Sequence, residues 1–354
     1  MNALADSLKR QIATTGPLSL AEYMTACLLH PEHGYYTTRD PLGAKGDFTT
    51  APEISQMFGE LLGLCLAQSW LDHGAPERFV LAELGPGRGT LMADALRATR
   101  AVPGFHAAAE LYLVEASPSL RVLQAERLAE HAPAWCGSVD DLPDGPLFLI
   151  ANEFFDALPI RQFSREGTGW RECVVGLSGG KLARGLTDAV PQDGLEHRLE
   201  DTADGDVIET CAPAQRVAES VGARIAAQGG TALLIDYGDW RSRGDTFQAL
   251  ENHAPSDPFA NPGQADLTAH VDFEAIAKAA APASHSAMTH QGVFLERLGI
   301  TPRAQALAQK LEGDALQSHI AAHRRLTHPS EMGSLFKVLA LYPQGAAPPP
   351  GLDP

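Results

Sequence analysis

The stretch that most constrains this chain is Glu83-Leu84-Gly85-Pro86-Gly87-Arg88-Gly89-Thr90. Before it runs Phe79-Val80-Leu81-Ala82, an unbroken apolar stretch of the kind a buried parallel strand needs. After it Thr90 stands at a cap position, and Leu91 to Arg97 has helical spacing and good helix formers. The glycines therefore fall where a strand turns into a helix. There the free backbone N–H groups and the positive end of the helix dipole favour the polar, partly anionic end of a ligand. Gly85, Gly87 and Gly89 carry no side chain, so the backbone can approach a ligand closely. An ordinary glycine-rich turn would look the same at this level, and the surrounding strands separate the two.

The alternation that a doubly wound sheet requires continues downstream. Leu111 to Val114 reads as a second strand ending in Glu115, and Ser117-Pro118 starts a helix to about Glu130. Trp135 to Val139 is a third strand, followed by Asp140-Asp141, and Leu147 to Ile150 a fourth, followed by Asn152 to Pro159. Residues 160–187 alternate around Gly167, Gly169, Gly179 and Gly180, which predicts antiparallel hairpins inserted after the fourth strand. A helix over 214–228 leads back to a fifth strand at Leu233 to Ile235. Residues 240–265, with scattered Pro and Gly, read as a long loop or mobile flap. Helices over about 293–326 and a last strand at Leu335 to Tyr342 complete the pattern.

Ahead of the glycine turn, helices are predicted over 3–14, 19–29 and, strongly amphipathic, over Glu53 to Trp70. The predicted class is thus α/β, a doubly wound sheet with an N-terminal helical extension and an inserted β-hairpin subdomain. In numbers, residues 1–75 form the extension with a lid loop and 76–343 the main domain, with insertions at about 160–210 and 240–265. Residues 344–354, rich in proline, are expected to be a flexible tail.

Composition excludes several function classes. The net charge of −17 argues against a general nucleic-acid binder, which needs a basic footprint for phosphates. An acidic surface serves solubility, or a basic partner such as an arginine-bearing protein segment. The five cysteines are scattered without a CxxC pair, which fits a reducing compartment. His319 and His323 stand four residues apart but lack the Glu of HExxH and read as a helix face; no metal is expected. No run approaches the roughly 20 apolar residues of a membrane span. The first 20 residues read as neither a secretory signal nor a transit peptide, so a cytoplasmic protein is expected.

The candidate residues gather at the carboxyl ends of predicted strands, where an open α/β sheet places its ligand. Glu115 can accept hydrogen bonds from both hydroxyls of a ribose, and it lies 26 residues beyond Gly89. A dinucleotide fingerprint would place that acid about 20 residues on and would use the longer Gly-x-Gly-x-x-Gly turn. Glu83, facing the turn, would repel a pyrophosphate but suits a ligand bearing an ammonium group. The methionine end of S-adenosylmethionine is such a ligand, and its nucleoside matches Glu115. Asp141 is placed equally well for an adenine amino group or for a helix cap. Asp47, Phe48, Thr49 and Thr50 form a polar, aromatic loop that reads as a lid or substrate loop, with a plain linker as the alternative.

Five segments together carry a resemblance. They are Gly46 to Ser55, Glu83 to Thr90, Asn152 to Pro159, Gln264 to Phe273 and Gln291 to Leu295. In this set the chain resembles the MidA-like methyltransferases, a family that includes the mitochondrial complex I assembly methyltransferase, from about residue 4 to residue 343. The resemblance implies a seven-strand class I methyltransferase sheet with a last, antiparallel strand. It also implies, for the mitochondrial members, symmetric dimethylation of an arginine on a complex I core subunit.

Charge then assigns roles. Methyl transfer is an in-line displacement at a sulfonium, so the protein mainly positions the acceptor and excludes water. A guanidinium is cationic and presents a rigid fork of donors, which carboxylates hold bidentately. Glu153 and Asp156 are the candidates for that, with Asn152 as an orienter and His270 as a proton acceptor. Helix-start capping is the plain alternative for the two acids, and a structural role for His270. A dehydrogenase and a non-catalytic assembly chaperone that keeps the cofactor are the rival classes; the short loop and the intact Asn152 to Pro159 segment speak against each in turn.

Overall fold

In the computed structural model, Phe79–Leu84 and Leu147–Asn152 lie side by side in parallel, each buried along its full length. The structure describes residues 2–38, 50–251 and 253–354. The chain folds as two units. One comprises Met1–Phe48, Asp156–Ala214 and Arg241–Asp272; the other comprises Thr49–Phe155, Gln215–Trp240 and Phe273–Pro354.

The second unit holds a central, mostly parallel sheet. Ala109–Val114 pairs on the outer side of Phe79–Leu84, and Ala134–Cys136 lies beyond it. On the other side Leu147–Asn152 pairs with Gly230–Asp239, still parallel, and Phe336–Tyr342 then runs antiparallel. Two short strands, Ser284–His285 and Thr289–His290, pair antiparallel with Phe336–Tyr342. Strands buried on both faces read as continuous apolar runs rather than alternating ones, which is why the sequence marks them. Leu81, Leu113, Phe148, Ile150, Leu233 and Ile235 share one core with Met57, Phe58, Leu61, Leu62 and Trp70. Each such side chain stabilises the fold by about 1.5–3 kcal/mol on burial.

The helix that supplies Met57 to Trp70, Gln56–Asp72, packs along Thr90–Thr99, the helix that opens at the glycine loop. Close approach depends on two glycines. A Cβ at Gly59 would lie 2.7 Å from the Leu91 carbonyl oxygen, and one at Gly63 2.6 Å from Ala95 Cα. Gln56–Asp72 thus belongs with the sheet, whereas the sequence alone predicts it within an extension that ends at residue 75. The single helix read from Glu53 to Trp70 is two, Ala51–Ile54 and Gln56–Asp72, because extended Ser55 interrupts it and caps the second through Met57 N–H.

The expected flexible tail is corrected. Leu352 is buried, Asp353 accepts from Arg297 Nη1 at 2.8 Å and from the Ala287 N–H at 2.8 Å, and the Cys65 thiol faces the Pro350 carbonyl. One apolar anchor among conformationally restricted prolines costs little entropy to order.

In the other unit, helices Ala3–Thr15 and Leu20–Leu29 begin at Asn2 and at a Ser19–Glu22 capping box. Arg161–Glu166, Gly169–Ser178 and Lys181–Leu186 form an antiparallel meander, with Val207–Thr210 on its far edge. The stretch 240–265, read as a loop or flap, instead carries two strands. Gln248–Glu251 pairs with Ala254–Ser256 and with Asp266–Thr268. Ala249 and Leu267 from this small sheet are buried with Leu20, Tyr23 and Met24, and the Tyr23 hydroxyl donates to the Pro258 carbonyl at 2.6 Å.

Candidate active site

Strand register places three polar side chains together. Glu83 is paired with Leu113 on one side and Ile150 on the other. Paired residues share a face and the side-chain period is two, so Glu115 and Asn152 fall on the face of Glu83. All three lie at carboxyl ends of neighbouring strands, and all three are buried.

The glycine loop beside them has left-handed backbone at Gly85, Gly87 and Gly89, with φ of 61°, 53° and 75°. An L side chain is strained there. At Gly85 an added Cβ would also meet Phe154 Cδ2 at 3.0 Å. Gly89 is the N-cap of Thr90–Thr99, so the first N–H groups of that helix open beside the loop. Gln124 ties the loop to the second strand. Its Nε2 donates to the Gly87 carbonyl at 2.7 Å and to Glu115 Oε2 at 3.1 Å, while its Oε1 accepts from Trp135 Nε1 at 2.8 Å. Sequence reasoning missed Gln124, because an amide in mid-helix carries no signal until its partners are folded around it.

Electrostatics sets these acids apart from ordinary surface carboxylates. Burial, and then the neighbouring Glu115, push the Glu83 carboxyl up to about 8, which the Met92 N–H only partly offsets. Glu115 is also raised by burial, with the Ser117 N–H at 2.7 Å and Gln124 pulling the other way. Glu83 Oε2 and Asn152 Oδ1 are buried and have no hydrogen-bond partner among the described residues. Two orphaned polar oxygens beside glycines that keep the backbone bare fit a ligand that brings a cationic donor. An ammonium group answers to that description, and S-adenosylmethionine carries one.

The segment after the fourth strand lies at the same edge. Glu153 has left-handed backbone, φ 52°, a strain of about 1–3 kcal/mol for a residue with a side chain. Its Oε1 accepts from Ala51 N–H at 3.0 Å and from Asn152 Nδ2 at 3.0 Å. Two residues on, Glu53 Oε1 accepts from the Thr90 hydroxyl at 2.5 Å, and Arg127 donates to the same hydroxyl. The short helix Ala51–Ile54, which begins at Thr50, is therefore attached both to the glycine-loop helix and to Glu153. The remaining lid residues of the sequence reading, Asp47, Phe48 and Thr49, lie outside the described residues.

Asp141 is exposed, and its Oδ2 accepts the Ser138 N–H at 3.0 Å at the start of the short helix Val139–Asp141. Asp156 and His270 belong to the other unit. There Asp156 is buried, its carbonyl accepts from Ala269 N–H at 3.0 Å, and its charge helps push the Tyr36 hydroxyl up, after burial and Asp266. The His270 N–H donates to the Thr246 hydroxyl at 2.8 Å. The acids flanking His270 have partners of their own: Asp266 accepts from the Tyr36 hydroxyl at 2.7 Å and Asp272 from the Ser242 N–H at 3.0 Å.

Residues 61–291 match the model of a family described as "Putative S-adenosyl-L-methionine-dependent methyltransferase". The chain is 36% identical to the mitochondrial protein arginine methyltransferase NDUFAF7 of Homo sapiens, over 95% of this chain and 82% of that protein. It is 35% identical to the Xenopus tropicalis protein of the same name, over 97% of this chain and 86% of the relative. A likely methyl transferase from Burkholderia thailandensis bound to S-adenosyl-homocysteine is similar in structure, with TM-score 0.84 and 31% identity over 99% of this chain and 94% of that one. The cytoplasmic location expected from the sequence does not stand, since the curated relatives that match nearly the whole chain are named as mitochondrial. By the extent of these matches, the chain belongs to this family of S-adenosyl-L-methionine-dependent methyltransferases.

Proposed function

We propose that the chain methylates an arginine guanidinium in a protein, and that Glu153 is the carboxylate that receives it. The observation that carries this reading is the placement of Glu153. It stands next to Asn152 at the carboxyl edge of the sheet, half-buried, on backbone that a side chain adopts only under constraint. The names of the curated relatives, protein arginine methyltransferases, support the same acceptor. Following the family resemblance, we take a respiratory complex I core subunit as the substrate. We also take the sheet to be the seven-strand class I arrangement, with Phe336–Tyr342 as its antiparallel member.

S-adenosylmethionine supplies a methyl group activated by the adjoining sulfonium. The chain supplies placement and charge. Glu83 Oε2 and Asn152 Oδ1 take donors of the ligand's ammonium, and Glu115 takes the ribose hydroxyls, with Gln124 fixing its orientation. Glu153 offers negative charge to the guanidinium, whose pKa above about 12 keeps it cationic. An attacking guanidinium nitrogen would take the methyl carbon as its bond to sulfur breaks, with S-adenosylhomocysteine leaving, and would shed its extra proton to the Glu153 carboxylate.

Incubation of the protein with radiolabelled S-adenosylmethionine and detergent-solubilised respiratory complex I, followed by hydrolysis and amino-acid analysis, tests the proposal. Label in methylarginine is the expected result. Label in methyllysine, in nucleic acid, or nowhere in the complex would sink the arginine assignment.

A further inference from the structure

We propose that Asp236 is a positioning residue for methyl transfer, acting by clamping the turn that presents Glu153. The inference rests on the role given to Glu153 above and adds a residue that touches neither ligand. Asp236 lies near the end of the fifth parallel strand, Gly230–Asp239, and is completely buried. Its Oδ2 accepts two consecutive backbone N–H groups, Phe154 at 3.2 Å and Phe155 at 3.0 Å, while its Oδ1 accepts the Tyr237 N–H at 3.0 Å.

The reason for a carboxylate follows from where the chain must go. Pairing between the fourth and fifth strands runs to Ile235 opposite Asn152, and the Glu153 N–H extends it by donating to the Ile235 carbonyl at 3.0 Å. The chain then leaves the sheet through the left-handed backbone of Glu153. Beyond that bond the next two N–H groups, Phe154 and Phe155, donate to the Asp236 carboxyl rather than to a strand carbonyl. A buried backbone donor needs a partner, and a single carboxyl oxygen accepts both. The clamp thereby over-determines the strained residue between the strand and itself. Phe154 also backs Gly85, at 3.0 Å from an added Cβ, so the same clamp abuts the glycine loop. An asparagine has one accepting oxygen and cannot serve Phe154, Phe155 and Tyr237 together.

The test compares the wild type with Asp236→Asn, Glu153→Gln and the double variant. Three readouts are used: radiolabelled transfer to solubilised complex I, calorimetry of S-adenosylhomocysteine binding, and amide exchange. Asp236→Asn should lower kcat about tenfold to a hundredfold, the scale of a small misplacement of a reacting group, with affinity for S-adenosylhomocysteine retained. The double variant should be no slower than Glu153→Gln alone, because Asp236 acts through Glu153. Exchange at Phe154 and Phe155 should rise about tenfold or more while Val80 to Leu84 stay protected. Multiplicative loss in the double variant, unchanged exchange at Phe154 and Phe155, or a rise spread evenly over the sheet would each overturn the clamp. A wild-type rate in Glu153→Gln would overturn the role of Glu153 itself, and the exchange at Phe154 and Phe155 then judges the clamp separately.

Discussion

Glu153 Oε1 and the Ala51 N–H, 102 residues apart in sequence, meet at 3.0 Å. With the Thr90–Glu53 bond at 2.5 Å, this contact makes the short helix Ala51–Ile54 a strap across the glycine-loop helix and the Glu153 turn. Both attachments involve a charged acceptor, and such bonds are worth about 1.5–3 kcal/mol each.

Thr90→Val keeps the shape of the side chain and removes the hydroxyl that Glu53 and Arg127 share. It should lower unfolding stability in urea by about 1–3 kcal/mol. Exchange at Ala51 should quicken as the strap loosens. Unaltered stability together with unaltered exchange would mean that the strap is held elsewhere.

Gly87→Val places a branched side chain on backbone at φ 53°, beside the N–H groups that open the helix. Calorimetry should show S-adenosylmethionine binding lost while circular dichroism stays native. Normal binding by this variant, or binding of NADH by the wild type, would contradict the ligand assignment.

What the sequence makes legible depends on how local the signal is. The strands Phe79–Leu84 and Leu147–Asn152 are apolar on both faces, so they stand out as runs. Glu83, Glu115 and Asn152 are legible because each directly ends such a run. Gln124 and Asp236 are not, since their importance lies in partners 37 and 81 to 82 residues away. The strands Gln248–Glu251 and Ala254–Ser256 are too short, and too interrupted by Pro255 and polar residues, to show a period. Leu352, a single apolar residue among prolines, likewise gives no periodic sign that the tail is anchored.

The sequence points to acceptor binding by Asp156 and proton uptake by His270, and each can be tested by itself. Asp156 is buried in its unit beside Tyr36, so removing its charge alters the chemistry more than the surface. Asp156→Asn should lower methyl transfer by about two to three orders of magnitude if it stabilises charge as the methyl arrives. His270→Gln should lower transfer by about two orders or more if it takes up the proton. Native unfolding curves with undiminished transfer would return either residue to a structural role.

The final prediction concerns pH and Glu83. In the ligand-free protein burial and Glu115 hold this carboxyl protonated up to about 8. The ligand's ammonium favours the ionised form, so binding at pH 6–7 should release close to one proton, a quantity that calorimetry in buffers of different ionisation enthalpy measures. Affinity for S-adenosylhomocysteine should accordingly climb with pH between about 5.5 and 7.5, by about tenfold per unit at most. Stability of the ligand-free protein should run the other way. A carboxyl raised in the folded state contributes stability that is complete below its unfolded value, 4.5, and is lost as pH rises through about 8. The ligand-free Tm should therefore fall across that window, and the saturated protein should fall less. Glu83→Gln cannot titrate, so it should flatten both dependences while binding more weakly, having kept a hydrogen-bond acceptor but lost the charge. An affinity that ignores pH in the wild type, or a slope that survives in Glu83→Gln, would assign the ammonium to another residue.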